Sequence, residues 1–227
     1  YLYTLTCRLK EGKKVLYETI RRIGFRQIEV RGNQMYINNM PVKLRGACHH
    51  EVMPLRGSPV NEDMWRKDVE LFRRGNVNYI RTSHYPPDEA LVEACDELGM
   101  LLEVEAPFCW AHNTKFTEDD HARLINQHVE MVNLNRSHPS VIMWSMGNES
   151  LLYKEFFSKA AKVVKQMDPT RPRIFSQWGP DADNGELEVT NHHYPGPTGP
   201  NKYRNSKRPV SFDEFCHLNA YTRLALA

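Results

Sequence analysis

The 227-residue sequence lacks several features that would assign a function directly. Its five cysteines are widely separated and form no Cys-x-x-Cys pair, which argues against a structural zinc site and against a disulfide framework. No run of 18 apolar residues occurs, so no membrane-spanning segment is expected. The glycine-rich loops that bind nucleotide phosphates, GxGxxG and GxxxxGK[ST], are also absent.

An excess of charge of one sign is missing as well. Lysine and arginine together number 30 and aspartate and glutamate 28, which gives a formal net charge of +2. The basic residues occur in isolated pairs such as Arg21-Arg22 and Arg73-Arg74, and they form no continuous stripe. We therefore expect no nucleic-acid partner and no membrane partner.

Residues 1–40 alternate between apolar and polar side chains with a period of two. Turn sequences at Glu11-Gly12-Lys13 and Asn38-Asn39 interrupt the alternation, which predicts two or three antiparallel strands. So few strands do not make a stable sheet alone, so they pack against the rest of the chain or belong to a preceding β-sandwich domain. The first residues carry no signal-peptide pattern, which leaves cytoplasm and periplasm both open as locations.

After Pro41 apolar strands begin to alternate with amphipathic helices. We predict strands at 42–47, 77–82, 100–104, 141–145, 173–177, 189–191 and 209–212, and helices at 63–74, 88–98, 120–136 and 156–167. Strands that are apolar throughout are typical of a parallel sheet covered by helices. Because the phosphate loop of open doubly wound sheets is absent, an α/β fold of the (β/α)8 TIM-barrel type fits residues 41–227 best.

Polar residues gather at the carboxyl end of every predicted strand, which is where TIM-barrel enzymes carry their active sites. The segments are Arg45–Glu51, Arg81–Pro86, Glu103–Pro107, Asn148-Glu149, Ser176–Gly179, Asn191–Tyr194 and Asp213–His217. Six of the ten histidines lie in these segments. We therefore expect one polar rim at one end of the barrel.

Two carboxylates at this rim follow strands on opposing sides of the barrel, Glu149 after strand four and Glu214 after strand seven. Glycoside hydrolysis requires such a pair, because one group protonates the leaving oxygen and the other attacks the anomeric carbon. The donor must stay protonated and the nucleophile ionised, so their surroundings have to differ.

Other polar and aromatic residues near these strand ends suit a sugar site. Asn148 can hydrogen-bond a sugar hydroxyl, and Arg81 can hold a neighbouring carboxylate charged. Flat apolar surfaces for sugar rings are offered by Trp110, Trp144 and Trp178, with core packing as the equal alternative for Trp144. His121, His128 and His138 are interpreted as surface or capping residues.

Four stretches, KLRGACHHE, NYIRTSHYPP, HPSVIMWSMGNES and VSFDEFCH, occur in an order similar to that of the catalytic barrel of glycoside hydrolase family 2. This family contains bacterial β-galactosidases, β-glucuronidases and β-mannosidases. The segment RRIGFRQIEVRGNQMYINNMPV resembles the junction with a preceding immunoglobulin-like domain, which implies domains at 1–40 and 41–227. The resemblance implies a retaining β-glycosidase, β-galactosidase-like, that acts on a carbohydrate substrate and needs no cofactor. It also allows the longer parent protein to be a homo-oligomer.

The resemblance also implies a role for each matching residue. Glu149 would be the general acid/base, Glu214 the nucleophile and Asn148 the partner of the sugar 2-hydroxyl. The other expected substrate-binding residues are His50, His84, Arg81, Trp178 and Tyr194, the last close to the nucleophile. In a retaining enzyme the two carboxyl groups lie about 5–5.5 Å apart.

Two of the departures from the family concern metal binding and the end of the chain. Cys109 and Ala111 stand where metal-dependent β-galactosidases of the family place a carboxylate and a histidine, so no metal is expected. The chain stops at Ala227, before an eighth strand, and a barrel without that strand exposes two sheet edges. We therefore expect a fragment of a longer protein, truncated before the eighth strand, that is weakly active or inactive by itself.

Two other functions compete with the glycosidase. Histidine pairs at His49-His50 and His192-His193 resemble the ligands of a metal-dependent barrel hydrolase. A carbohydrate-binding or scaffolding module, one that kept the site and lost turnover, is the second alternative.

Overall fold

The computed structural model describes residues 1–53, 57, 62–112, 117–150, 154–177 and 185–215. The strands in these ranges are β1 (Tyr3–Glu11), β2 (Lys14–Ile23), β3 (Ile28–Arg31), β4 (Gln34–Ile37), β5 (Met40–Pro41), β6 (Gly46–His49), β7 (Tyr79–Thr82), β8 (Leu101–Glu105), β9 (Val141–Asn148), β10 (Arg173–Ser176), β11 (Thr190–Asn191) and β12 (Val210–Ser211). The helices are α1 (Glu62–Arg74), α2 (Glu89–Leu98), α3 (Glu118–Asn135) and α4 (Lys154–Met167).

The strands β6 to β12 run parallel and follow one another in chain order. Five of them form one sheet in the order β10-β9-β8-β7-β6, and β11 pairs with β12. Backbone hydrogen bonds from Val189 to Arg173 and from His193 to Gln177 hold β11 beside β10. This arrangement agrees with the predicted TIM-barrel fold, whose first seven strands the described residues contain.

Capping residues define the boundaries of α2 and the start of α3. Asp88 accepts a hydrogen bond from the backbone of Ala90 at the start of α2, and Gly99 ends this helix in the left-handed conformation. Thr117 and Asp120 form a reciprocal capping box at the start of α3. Such caps satisfy backbone groups that the helix itself leaves without a partner.

The main core lies between the sheet and its helices. It contains Trp144, which the sequence offered as a sugar-stacking surface and which is fully buried. The indole N–H of Trp144 donates to Asp168, and the Arg171 guanidinium lies 5.2 Å from the ring centroid. Of the two alternatives for Trp144, core packing is therefore the correct one.

Two of the three histidines interpreted as surface or capping residues are buried. His128 lies on the inner face of α3, stacked on Phe108 at a centroid distance of 5.1 Å, with Nε2 3.0 Å from the carbonyl oxygen of Met146. Burial lowers the pKa of His128 to about 4. His138 is also buried and lies 2.7 Å from a carboxylate oxygen of Asp96, so the surface interpretation is wrong for both.

The amino-terminal end of the barrel is closed by the antiparallel sheet β3-β4-β5. This sheet places Ile28 and Met35 against Tyr79, Ile142, Met143, Ile174 and Val189. The backbone N–H of Val42 donates to the carbonyl of Met35, so residue 42 still belongs to the β3-β4-β5 sheet. The strand predicted to begin at residue 42 therefore begins at Gly46, as β6. The polar rim therefore lies at the opposite end of the barrel.

The hairpin β1-β2 has most of its side chains in solvent, including the large apolar ones of Leu5, Leu9, Tyr17 and Ile20. The amino-terminal segment thus contains five strands in two sheets, where the sequence predicted two or three strands. Across the described ranges, no helix combines the length and apolar character that crossing a membrane requires.

Candidate active site

Charged side chains from five strands meet at the carboxyl end of the barrel. They are Arg81 on β7, Glu103 and Glu105 on β8, Glu149 after β9, His193 after β11, and Asp213 and Glu214 after β12. Most of these side chains are almost completely buried, and the side chain of Glu214 is 11% exposed. A buried charge is costly unless it is paired, so the contacts among these groups determine what the site can do.

The carboxylates of Glu149 and Glu214 face each other at this rim. A carboxylate oxygen of each, together with a ring nitrogen of His193, lies within 4.8 Å of the other two. Two carboxyl groups about 5–5.5 Å apart can act on the same anomeric carbon from opposite sides. The barrel therefore brings together two acids that are far apart in the sequence.

The backbone at the end of β9 directs Glu149 into the site. Gly147 has a φ of 148°, and a Cβ atom there would lie 3.1 Å from Phe108 and 3.2 Å from Phe157, so glycine is needed at this position. Glu149 itself has a φ of 43°, in the left-handed region that non-glycine residues rarely adopt. The Trp110 indole N–H donates to Glu149 Oε2 at 2.8 Å.

Glu214 is surrounded by hydrogen-bond donors. Arg81 Nη1 donates to Oε1 at 2.8 Å, and the Tyr194 hydroxyl donates to Oε2. Burial raises the pKa of Glu214, but the charge of His193 and the hydrogen bonds from Tyr194 and Arg81 outweigh burial and lower it. The carboxylate form of Glu214 is thus the stable one.

Arg81 links the acids of the rim. Its side chain is 1% exposed, and Nε donates to Glu105 while Nη2 donates to Asn148 Oδ1, both at 2.7 Å. Burial alone would lower the pKa of Arg81, but the carboxylates of Glu105 and Asp213 raise it well above its usual value. Arg81 is therefore the fixed positive charge of the site.

His193 was not among the residues that the sequence assigned to the sugar site. Its ring is completely buried, and Nδ1 lies 2.8 Å from Glu149 Oε1. Nε2 lies 2.9 Å from Asp213 Oδ1, at an angle outside that of a good hydrogen bond. Burial lowers the pKa of His193, but the contacts with Asp213 and Glu149 outweigh burial and raise it to about 9.

Asn148, His84 and His50 extend the site from Arg81 toward the surface. The amide of Asn148 donates to Cys109 Sγ at 3.3 Å while its oxygen accepts from Arg81. His84 Nδ1 lies 2.8 Å from Glu105 Oε1, and the exposed His50 ring lies 5.2 Å from that of His84. Trp178, the other expected sugar-binding residue, lies outside the described residues.

Glu103 is a further group that the sequence patterns did not single out. Tyr79 donates its hydroxyl to this buried carboxyl, and burial together with the charge of Asp213 raises the pKa of Glu103 to about 8. Glu103 and Glu105 are two residues apart on an otherwise apolar strand. That spacing directs both to one face of β8, and it was the available signal for a charged interior.

The histidine pairs that suggested a metal-dependent hydrolase do not converge. His49 Nε2 lies 3.1 Å from Asp68 Oδ2 on α1, and His192 Nδ1 lies 2.8 Å from the Tyr203 hydroxyl. Among the described residues, the atoms close enough to share a cation belong to Glu149, His193 and Glu214. All three already contact protein groups of the site.

The profile of the family described as "Glycosyl hydrolases family 2, TIM barrel domain" matches residues 28–195. The chain belongs to glycoside hydrolase family 2. Among curated relatives, a β-galactosidase of Lactococcus lactis is 33% identical over 196 residues, which cover 84% of this chain and 19% of the relative. A β-glucuronidase of Paenibacillus borealis is 29% identical over 251 residues, covering 95% of this chain and 42% of the relative.

Solved structures of family 2 enzymes have the same fold. The crystal structure of a family 2 member from Bacteroides cellulosilyticus superimposes with a TM-score of 0.78 at 30% identity, over 92% of this chain and 29% of the other. The chain spans less than half the length of each of these relatives.

Proposed function

We propose that the chain forms the catalytic barrel of a retaining β-glycosidase in which Glu214 is the nucleophile and Glu149 the general acid/base. The observation that carries this proposal is the separation of the two carboxylates, whose nearest oxygens lie within 4.8 Å. This separation supports a retaining geometry, because inverting enzymes keep their carboxyl groups about 6.5–9.5 Å apart to admit a water molecule.

In the first step Glu214 attacks the anomeric carbon, and the bond to the leaving oxygen breaks as Glu149 protonates that oxygen. In the second step Glu149 takes a proton from water, whose oxygen attacks the same carbon and displaces Glu214. Two displacements at one carbon return the original configuration. Each carboxyl group ends the cycle in the state in which it began.

The surroundings of Glu214 support its role as the nucleophile. Arg81 and Tyr194 both donate to it, and its pKa is lowered by these contacts and by the charge of His193. Arg81 also fixes the oxygen of Asn148, which leaves the Asn148 side chain oriented beside the two acids. We assign Asn148 to the sugar 2-hydroxyl, where hydrogen bonds strengthen in the transition state.

We further propose that the substrate is a neutral β-hexoside, most simply a β-galactoside, and that an anionic β-glucuronide is the competing class. A uronate needs an available cation for its C6 carboxylate, and among the described site residues Arg81 already donates to Glu105, Asn148 and Glu214. The ionised carboxylate of Asp213, 3.6 Å from Arg81, opposes the additional negative charge of a uronate. Named relatives include both β-galactosidases and β-glucuronidases, so both classes are tested.

The experiment is a comparison of nitrophenyl β-galactoside, β-glucuronide and β-mannoside with the protein at its full encoded length. We expect fastest hydrolysis of the galactoside, and proton NMR of the reaction should show the β-anomer of the sugar as the first product. Release of the α-anomer first would reject the retaining mechanism. Binding of sugars without hydrolysis of any substrate would favour the carbohydrate-binding alternative.

A further inference from the structure

His193 contacts both halves of the site and has no role in the two-step mechanism. It lies between Glu149, which follows β9, and Asp213, which precedes Glu214 in the chain. Glu214 Oε2 is 3.8 Å from the same Nδ1 that faces Glu149. The imidazole thus touches the proposed acid/base directly and reaches the proposed nucleophile at longer range.

The two oxygens of Glu149 have different partners. Oε2 accepts a hydrogen bond from the Trp110 indole, which can only donate, so this oxygen acts as an acceptor. Oε1 faces His193 Nδ1, which donates or accepts according to its tautomer. A proton carried by Glu149 therefore lies between its Oε1 and Nδ1 of His193.

Asp213 determines how the His193 ring is held. Its Oδ2 accepts from Ser176 at 2.8 Å and its Oδ1 from Asn191 at 2.5 Å, so the carboxylate is fixed beside Nε2. Burial raises the pKa of Asp213, but the charge of Arg81 and the contact with His193 lower it well below its usual range. An ionised Asp213 favours a proton on Nε2, which leaves Nδ1 to share a proton with Glu149.

Resting on the proposed function, we propose that His193 is a positioning residue that holds, together with Glu149, the single proton delivered to the leaving oxygen. During bond cleavage this proton leaves the Glu149–His193 pair for the glycosidic oxygen. During hydrolysis of the intermediate the pair regains one proton from the attacking water. The pair therefore gains and loses one proton in each cycle.

The charged groups around His193 favour retention of the proton above neutral pH. The acids Glu149, Asp213 and Glu214 face the ring, while Arg81 lies beyond Asp213 and Glu214. Tyr194 and His192 adjoin it in its own segment, with the Tyr194 ring 5.5 Å away. The pKa of His193, about 9, is consistent with a pair that keeps its proton until the pH approaches that value.

The first test replaces His193 with asparagine, His193→Asn, which keeps a hydrogen-bonding amide near Nδ1 and cannot titrate. In the variant we expect kcat/KM for glycosides with poor leaving groups to fall about 10²-fold, the lower range for loss of general acid catalysis. Dinitrophenyl glycosides should change little, because their leaving group needs no proton. The alkaline limb of the pH profile should move to lower pH.

His192→Asn is the matched control, since His192 is adjacent in sequence and contacts Tyr203 instead of the two acids. Its leaving-group dependence and pH profile should equal those of the parent. Unchanged values in both variants would overturn the proposal for His193 while leaving the proposed function intact.

A second measurement is independent of turnover. In protein labelled with ¹⁵N-histidine, the His193 signals are identified by their loss in His193→Asn, and their titration midpoint should lie near pH 9. The midpoint should fall in Glu149→Gln, which removes one of the two contacts that raise it. A midpoint at the ordinary histidine value near pH 6.5 would overturn the proposal whether or not the protein hydrolyses glycosides.

Discussion

Two buried networks of charged side chains lie at opposite ends of the same barrel. At the amino-terminal end, Arg171 donates to Asp168 and to the carbonyl oxygens of Val141, Arg136 and His138. At the carboxyl-terminal end, Arg81 and His193 lie among the five acids of Glu103, Glu105, Glu149, Asp213 and Glu214. Positive and negative groups are matched in the first network, and acids are in excess in the second.

The difference in charge balance suits the Arg171 network to stabilising the fold and the rim network to acid/base chemistry. In the matched network the pKa of Asp168 is lowered, because the charge of Arg171 and bonds from Thr170 outweigh burial, so the acid stays ionised. In the rim network the pKa values diverge, with that of Glu103 raised to about 8 and those of Asp213 and Glu214 lowered. Acids held in different protonation states are what acid/base chemistry requires.

The largest expected effect comes from removing the proposed nucleophile. Glu214→Gln should lower turnover by about 10⁴-fold or more, as loss of a catalytic nucleophile does in other hydrolases. The thermal unfolding midpoint should not fall, because the change removes one acid from a network with an excess of them. Hydrolysis at the parent rate in the full-length variant would show that the assignment of Glu214 is wrong.

Removal of the proposed acid/base should have a smaller effect that depends on the leaving group. For Glu149→Ala we expect turnover of poor leaving groups to fall about 10²–10⁴-fold. Activated aryl glycosides should still form the covalent intermediate, and added azide should restore turnover and yield a glycosyl azide. Absence of both the intermediate and the azide product would count against Glu149.

A substitution in the Arg171 network should lower stability and leave the pH dependence of catalysis unchanged. Arg171→Met leaves Asp168 buried without its cation, so the free energy of unfolding should fall by about 3–5 kcal/mol, measured by urea denaturation. The pH profile of kcat/KM should stay that of the parent. Arg74→Met, at an exposed position at the end of α1, is the control and should change neither quantity. A shifted pH profile in Arg171→Met would mean that the two networks are coupled.

The smallest expected effect concerns Glu103. Its folded-state pKa of about 8 exceeds the ordinary value of 4.5, so between these pH values the folded chain binds the proton and the unfolded chain releases it. Stability contributed in this way is complete below about pH 4.5 and is lost as the pH rises toward 8. Glu103→Gln should therefore flatten the decline of unfolding free energy across this window. If the slope of unfolding free energy against pH did not change, Glu103 would have to ionise outside this pH window.

Much of the fold followed from local pattern. The helix predicted at 88–98 agrees closely with α2, because the caps Asp88 and Gly99 at its two ends act through local interactions. The apolar run from Val141 predicted β9, which extends further, through Asn148. Beyond the TIM-barrel fold, the sequence also predicted that polar residues follow each strand at one rim.

Contacts between distant segments were less accessible from the sequence. His128 is on a helix whose pattern allowed either face, and only the packing of Phe108 against it shows that its ring is buried. The contact of His193 with Glu149 joins residues 44 positions apart in the chain. Neither spacing nor residue type specifies which of two adjacent histidines turns toward the acid.

The sequence by itself determined the order of strands and helices in the barrel, the ends of the capped helix α2 and the family to which the chain belongs, because periodicity, caps and motifs are local properties. Tertiary structure alone decided the partners of the rim acids. Closure of the strands sets the distances among Glu149, His193 and Glu214, and burial then determines how strongly each charge acts on its neighbours.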